Sequence, residues 1–120
     1  FDTVAQKMGP VTTVIHNALA DYSFNGDARQ TVDTMPAADM VSQHATAVLG
    51  ALNVLQAATP GMAAAKFGRI VTIGTNLVQN PVVPYHDYTS AKAALLALTR
   101  TSAAELGPKG ITVNIVSGGL

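Results

Sequence analysis

The sequence predicts an α/β fold, a parallel sheet entered from a partial helix and continued as β-α-β-α-β. Three observations predict it. Three short β-branched runs, Val11–Ile15, Arg69–Gly74 and Ile111–Val116, have the length and composition of buried strands. Two longer segments between them repeat apolar residues at helical spacing. Each strand is followed by residues suited to chemistry, which open α/β sheets carry at their strand C-terminal ends. Right-handed crossovers of this length give parallel strands with helices across the sheet.

Taken in order, Phe1, Val4, Ala5 and Met8 have helical spacing, and Gly9-Pro10 stops the helix. These are expected to be the last turns of a helix whose start is absent. Val11–Ile15 follows as the first strand, with His16-Asn17-Ala18-Leu19 at its tip. Asp21–Met35 is polar and contains the turn signal Asn25-Gly26-Asp27, so it reads as a surface loop bordering a substrate entrance.

Thr34 is placed to cap a helix with Pro36 in its first turn. Met40, Ala47, Val48, Ala51, Leu52 and Leu55 carry the helix to about Ala58. Pro60-Gly61 is expected to kink or end it, with Ala63-Ala64-Ala65 as a possible extension. His44 reads as a polar or helix-interface residue.

The strand Arg69–Gly74 leads into a loop, Asn76–Asp87, stiffened by Asn80-Pro81 and Pro84. Asp87 is expected to cap a helix beginning near Tyr88, with His86 facing solvent; a His86–Asp87 dyad is the less favoured reading. The helix runs through Leu95, Leu98 and Ser102 to Leu106, and Gly107-Pro108 ends it. Its many alanines leave a smooth surface suited to close helix–helix packing. After the third strand, the chain stops at Gly118-Gly119-Leu120 inside a loop.

Composition narrows the function classes. In 120 residues, 48% are hydrophobic and 12% charged, against a usual charged share of about 25%. That deficit fits an interior slice whose faces are covered by further chain or other subunits. A net charge of zero gives no electrostatic case for nucleic acid or anionic membrane. With no cysteine, disulfides and thiolate metal sites are excluded, and no metal is expected. No apolar run reaches about 18 residues, and no signal pattern opens the chain, so a cytoplasmic protein is the default.

The chemistry concentrates between Gly68 and Lys92. Tyr88 and Lys92, four positions apart on a helix, share one face, about 5–6 Å apart at Cβ. Thr75 leaves the strand end thirteen positions before Tyr88. A cation one turn away is expected to lower the phenol pKa, fitting Tyr88 to act as acid and base near neutral pH. The three suit proton transfer at an oxygen while hydride moves at carbon. None carries hydride, so a cofactor is required.

Tyr88-x-x-x-Lys92 with a hydroxyl residue thirteen earlier resembles the short-chain dehydrogenase/reductase family. Gly68-Arg69-Ile70-Val71, Tyr88–Ala94 and Gly110-Ile111-Thr112-Val113-Asn114 are especially similar to its 3-oxoacyl-carrier-protein reductase branch. The resemblance implies a Rossmann-like sheet, of which residues 1–120 are the central-to-C-terminal part, without the N-terminal Gly-rich half and the C-terminal end. It implies Thr75, Tyr88 and Lys92 as catalytic residues, with Thr75 also contacting substrate. Asn17, Ala18, Tyr88, Lys92 and Gly119 are implied to line the cofactor.

Departures accompany it. His16 and Leu19 stand in a motif that is Asn-Asn-Ala-Gly in the family. Thr75 replaces Ser, and Gly118 replaces a Pro. Ala47 occupies the place of an Asn that serves a water relay to the Lys, a role a backbone carbonyl there could still fill. No Gly-rich phosphate loop is present, and one is expected before Phe1 in the parent protein.

The resemblance favours NADP(H) over NAD(H), and a homodimer or homotetramer formed through the two long helices. It points to an oxidoreductase of a ketone or secondary alcohol, with a 3-oxoacyl thioester on an acyl carrier, in fatty acid metabolism, as the candidate substrate. The piece alone is expected to be inactive. The alternative is a catalytically impaired relative that binds a ligand or partner, motivated by Leu19, Ala47, Thr75 and Gly118.

Overall fold

The structure, a computed structural model, describes residues 1–119; Leu120, placed by the sequence in the final loop, lies outside them. The elements are α1 (Asp2–Met8), β1 (Thr13–His16), α2 (Ala37–His44), α3 (Gly50–Ala65), β2 (Gly68–Thr75), α4 (His86–Leu106) and β3 (Ile111–Gly118). The three strands form one parallel sheet in the order β1-β2-β3, pairing Thr13 with Arg69 and Gly68 with Ile111. The expected β-α-β-α-β order is therefore present. β1 sits later than the sequence suggested, and β3 runs on to Gly118, through residues expected in a loop.

α3 and α4 pack on one face of the sheet. Leu55, Ala58 and Met62 of α3, Leu106 of α4, Ile70 of β2 and Ile111 and Val113 of β3 form the core there. Each fully buried aliphatic side chain in such a core contributes about 1.5–3 kcal/mol. A buried hydroxyl pair, Thr72 of β2 and Thr99 of α4, closes at 2.9 Å between sheet and helix. The other sheet face is open: Ile15 and Val116 are 65% and 57% exposed. All of α1 is exposed as well. The radius of gyration of 15.9 Å exceeds the about 14 Å of a compact domain of this length.

The long helical stretch departs from expectation in three respects. Thr34 does not cap it: the N-cap is Pro36, and the Thr34 hydroxyl turns back to the Thr31 carbonyl at 3.3 Å. Between α2 and α3, Ala45–Leu49 forms a π-helical turn, a local widening common at functional sites. Of the readings offered at Pro60, the extension holds: the helix continues through Ala63-Ala64-Ala65. A proline inside a helix costs about 3 kcal/mol. Buried Ala58 and Met62 on either side of it offset that cost by packing into the core. Finally, the 29 residues Ala37–Ala65 are, by length and composition, long and apolar enough to cross a membrane, unlike the sequence reading. Here Ala51, Leu55, Ala58 and Met62 of that stretch face the protein interior.

Lys66 then takes a left-handed conformation (φ 54°) to leave the helix. Gly110, with φ 79°, turns the chain into β3 directly against the Lys66 backbone carbonyl, where a side chain would collide. These two turns lie at the end of the sheet opposite the functional residues.

Candidate active site

The site assembles where β2 ends and α4 begins. Thr75 is the last residue of β2 and is buried; its Oγ accepts a hydrogen bond from the Leu77 amide at 3.2 Å. α4 begins at His86, two residues earlier than expected, and places Tyr88 and Lys92 in its first two turns. Lys92 is buried, donates from Nζ to the Ile73 carbonyl at 2.7 Å, and lies 5.7 Å from the centre of the Tyr88 ring. The hydroxyl, phenol and ammonium named from the sequence therefore meet in one place.

Their electrostatics differ from expectation. Burial raises the Tyr88 phenol above its ordinary value, and the neighbouring Thr75 hydroxyl pulls the other way. Lys92 does not acidify it. Burial lowers the Lys92 pKa, so the ammonium is itself destabilised. In this state Tyr88 is a protonated phenol.

Asn17 and Ala18 follow β1 at the same end of the sheet and are exposed, as is Leu19. Gly119 follows β3, near the side-chain amide of Asn76. Asn76 Oδ1 is buried without a hydrogen-bond partner among the described residues. His16 is buried against the π turn, 3.3 Å from where a side chain on Gly50 would begin. Desolvation lowers its pKa most, and the Lys92 charge lowers it too; hydrogen bonding to the Ala47 and Thr46 backbone opposes them. The Ala47 backbone, expected to hold a water, thus faces an imidazole. His44 bonds to its own helix at the Met40 carbonyl, 2.9 Å, and takes no part.

The loop after β1 holds what the sequence did not disclose. Tyr22 and Phe24 each pack on the Tyr88 ring with centroids 5.4 Å apart, and both touch Tyr85. Arg29 reaches from the same loop to Asp87 at 2.6 Å and lies over the Tyr22 ring at 4.1 Å; the Tyr22 hydroxyl donates to Asp87 at 3.2 Å. The Gly26 amide donates to the Tyr85 hydroxyl at 2.7 Å.

Asp87 is therefore not a helix cap. It is fully buried, neutralised by Arg29, and next in chain to Tyr88. His86 is half-buried rather than solvent-facing, beside a cavity lined by Pro81, Pro84 and Tyr85. The missed signal was two aromatics and one arginine in an otherwise polar loop, opposite an aspartate in an apolar stretch. Among the described residues no group of three or more His, Cys, Asp or Glu could hold a metal.

Known proteins resemble the chain in sequence and in fold. The family model described as Enoyl-(Acyl carrier protein) reductase matches residues 1–120. The chain is 35% identical over 120 residues to acetoacetyl-CoA reductase of Cupriavidus necator, covering 99% of this chain and 46% of that one. It is 30% identical over 122 residues to 3-oxoacyl-(acyl-carrier-protein) reductase MabA of Mycobacterium avium, covering 99% and 44%. A short-chain type dehydrogenase/reductase of Picea abies is 34% identical over 119 residues, covering 99% and 42%. The chain thus spans less than half the length of these relatives.

Among solved structures, NAD+-bound xylitol dehydrogenase superposes with a TM-score of 0.86 at 30% identity, covering 98% of this chain and 44% of that one. A gluconate 5-dehydrogenase of Burkholderia cenocepacia shares the fold at a TM-score of 0.86 and 23% identity, covering 98% and 44%. Sequence and sheet topology converge: the chain belongs to the short-chain dehydrogenase/reductase family, with the 3-oxoacyl-(acyl-carrier-protein) reductase-like members.

Proposed function

We propose that the protein carrying this chain interconverts a ketone and a secondary alcohol with a nicotinamide cofactor, and that Thr75, Tyr88 and Lys92 do the proton chemistry. The observation that carries this is the meeting of the three at the β2 tip, with the Lys92 ammonium 5.7 Å from the Tyr88 ring centre. In reduction, Tyr88 gives its phenolic proton to the carbonyl oxygen while Thr75 donates a hydrogen bond to that oxygen. Burial keeps Tyr88 protonated for this step, although it makes the phenol a weaker acid than a free one. In oxidation the proton returns to Tyr88.

The residues fit a nicotinamide nucleotide. Lys92 spends one of its three N–H donors on Ile73, leaving two for ribose hydroxyls. Asn76 Oδ1 is a buried acceptor without a partner among the described residues, suited to an amide N–H, and Gly119 leaves space beside it. Asn17 and Ala18 would flank the adenosine side. When bound, the nicotinamide supplies or takes the hydride at carbon. The pyrophosphate cradle is proposed to lie outside this chain, in an N-terminal Gly-rich half.

NADP(H) is the proposed preference, in line with the branch of the family. A homodimer or homotetramer through α3 and α4 is proposed from the groove between them, lined by Leu52, Gln56, Leu98 and Thr101. A cytoplasmic location is proposed on the same grounds of kinship. The test is Tyr88→Phe in the full-length protein, assayed for ketone-dependent nucleotide oxidation and for nucleotide binding by fluorescence. Turnover is expected to vanish while nucleotide binding persists. Unchanged turnover would refute the reading.

A further inference from the structure

We propose that Tyr22 and Phe24 are specificity-determining residues that select an uncharged ketone or alcohol bearing a flat apolar group beside the reacting carbon; this rests on the reductase reading above.

The first support is geometric. Phe24 meets the Tyr88 ring edge-on at 5.4 Å, yet is 54% exposed. One part of its ring packs beside the proton donor, and the rest faces open space. Tyr22 lies on Tyr88 at a tilt of 31°, held there by Arg29 above it and Asp87 at its hydroxyl. A substrate whose oxygen reaches the Tyr88 hydroxyl has its flanking group against these rings. A flat apolar group gains stacking and edge-to-face contact of about 0.5–1.5 kcal/mol beyond its area burial.

The second support is charge. The same loop exposes Asp21, Asp27 and Asp33, and its one cation, Arg29, is consumed by Asp87. Lys66, Arg69 and Lys109 sit beside the strand beginnings, at the far end of the sheet. Lys92 is the remaining cation near the site, and it is buried under Tyr88. The loop that carries Tyr22 and Phe24 is thus net anionic. It repels the phosphates of a coenzyme A or phosphopantetheine thioester, and it is indifferent to a neutral ketone.

The experiment compares kcat/KM of the full-length protein for a phenyl ketone, an unbranched methyl ketone and acetoacetyl-CoA, with NADPH and with NADH. Wild type, Phe24→Ala and the triple variant Asp21→Asn/Asp27→Asn/Asp33→Asn are assayed, each with a melting curve. Wild type is expected to favour the phenyl ketone over acetoacetyl-CoA by at least about 10-fold. Phe24→Ala is expected to lower the ratio of phenyl to methyl ketone by about 10-fold or more, the scale of one lost apolar contact set. The triple variant is expected to raise acetoacetyl-CoA turnover selectively, with an effect that fades in high salt.

Preference of wild type for acetoacetyl-CoA, or an equal loss on both ketones in Phe24→Ala, overturns the inference and leaves the reductase reading standing. No turnover of any of the three, with nucleotide still bound, overturns the reductase reading and this inference together.

Discussion

Replacing Arg29 by Met should unlatch the loop that holds the aromatic wall. Asp87 has 0% side-chain exposure and one cationic partner, Arg29, at 2.6 Å. Arg29 itself is only 15% exposed, so water cannot readily take its place. Removing one member of such a pair leaves an uncompensated buried carboxylate, at a cost of about 3–5 kcal/mol. The Tyr22 hydroxyl, 3.2 Å away, remains and softens the loss. A hydrogen bond to a charged group is worth about 1.5–3 kcal/mol.

The lower end of the range, about 3 kcal/mol, is therefore expected, a drop of about 150-fold in the folding constant. The double variant Arg29→Met/Asp87→Leu removes both charges and should recover most of the stability, since apolar replacement of a buried pair is often neutral or better. Urea unfolding of the full-length protein by circular dichroism, with unchanged slopes, measures both. A loss below about 1 kcal/mol in Arg29→Met, the level of an exposed pair, would refute the burial argument. So would a double variant no more stable than the single one.

Two further predictions concern titration and Thr75. His16 has a folded pKa below its ordinary 6.5, so the folded state binds fewer protons than the unfolded state in that window. Its contribution is present above 6.5 and lost as pH falls toward the folded value; thermal melts of His16→Asn should lack that acid slope. Conversely, the phenols of Tyr22 and Tyr88 are both raised above 10.0, so stability should fall as pH rises past that value. Thr75→Ser keeps the hydroxyl beside Tyr88 and should retain turnover, whereas Thr75→Val should lose about 100-fold in kcat/KM, as for removal of one oxyanion donor.

Much of the fold could be read because its signals are local. β-branched runs and helical spacing place Val14, Ile70, Val113, Leu55 and Leu95 without knowledge of anything distant. The trio Thr75, Tyr88 and Lys92 was legible for the same reason: a strand tip and one helical turn suffice to bring them together. What escaped depends on long-range contact. Asp87 looked like a cap because Asp at a helix start usually is one; only Arg29, 58 residues away, makes it a buried ion. Tyr22 and Phe24 looked like loop residues because their partner, Tyr88, lies more than sixty positions on. The raised phenol pKa escaped because spacing gives proximity to Lys92 but not the depth of burial. Pro60 left open whether the helix kinks, ends or runs on because its propensity is local, while the packing of Met62 that settles the matter is not.

The Thr72–Thr99 pair acts as a ruler. Thr99 lies eleven residues beyond Tyr88, about three full helical turns, so the two share a face of α4 about 16 Å apart. Thr72 stands three residues before Thr75 on β2. A slip of α4 by one turn would break the buried bond between the two hydroxyls, leaving Thr99 only the Leu95 carbonyl of its own helix and Thr72 only the Asn114 carbonyl. That penalty holds the helix in gauge with the strand, and the distance between phenol and threonine at the mouth is thereby set from the floor of the domain.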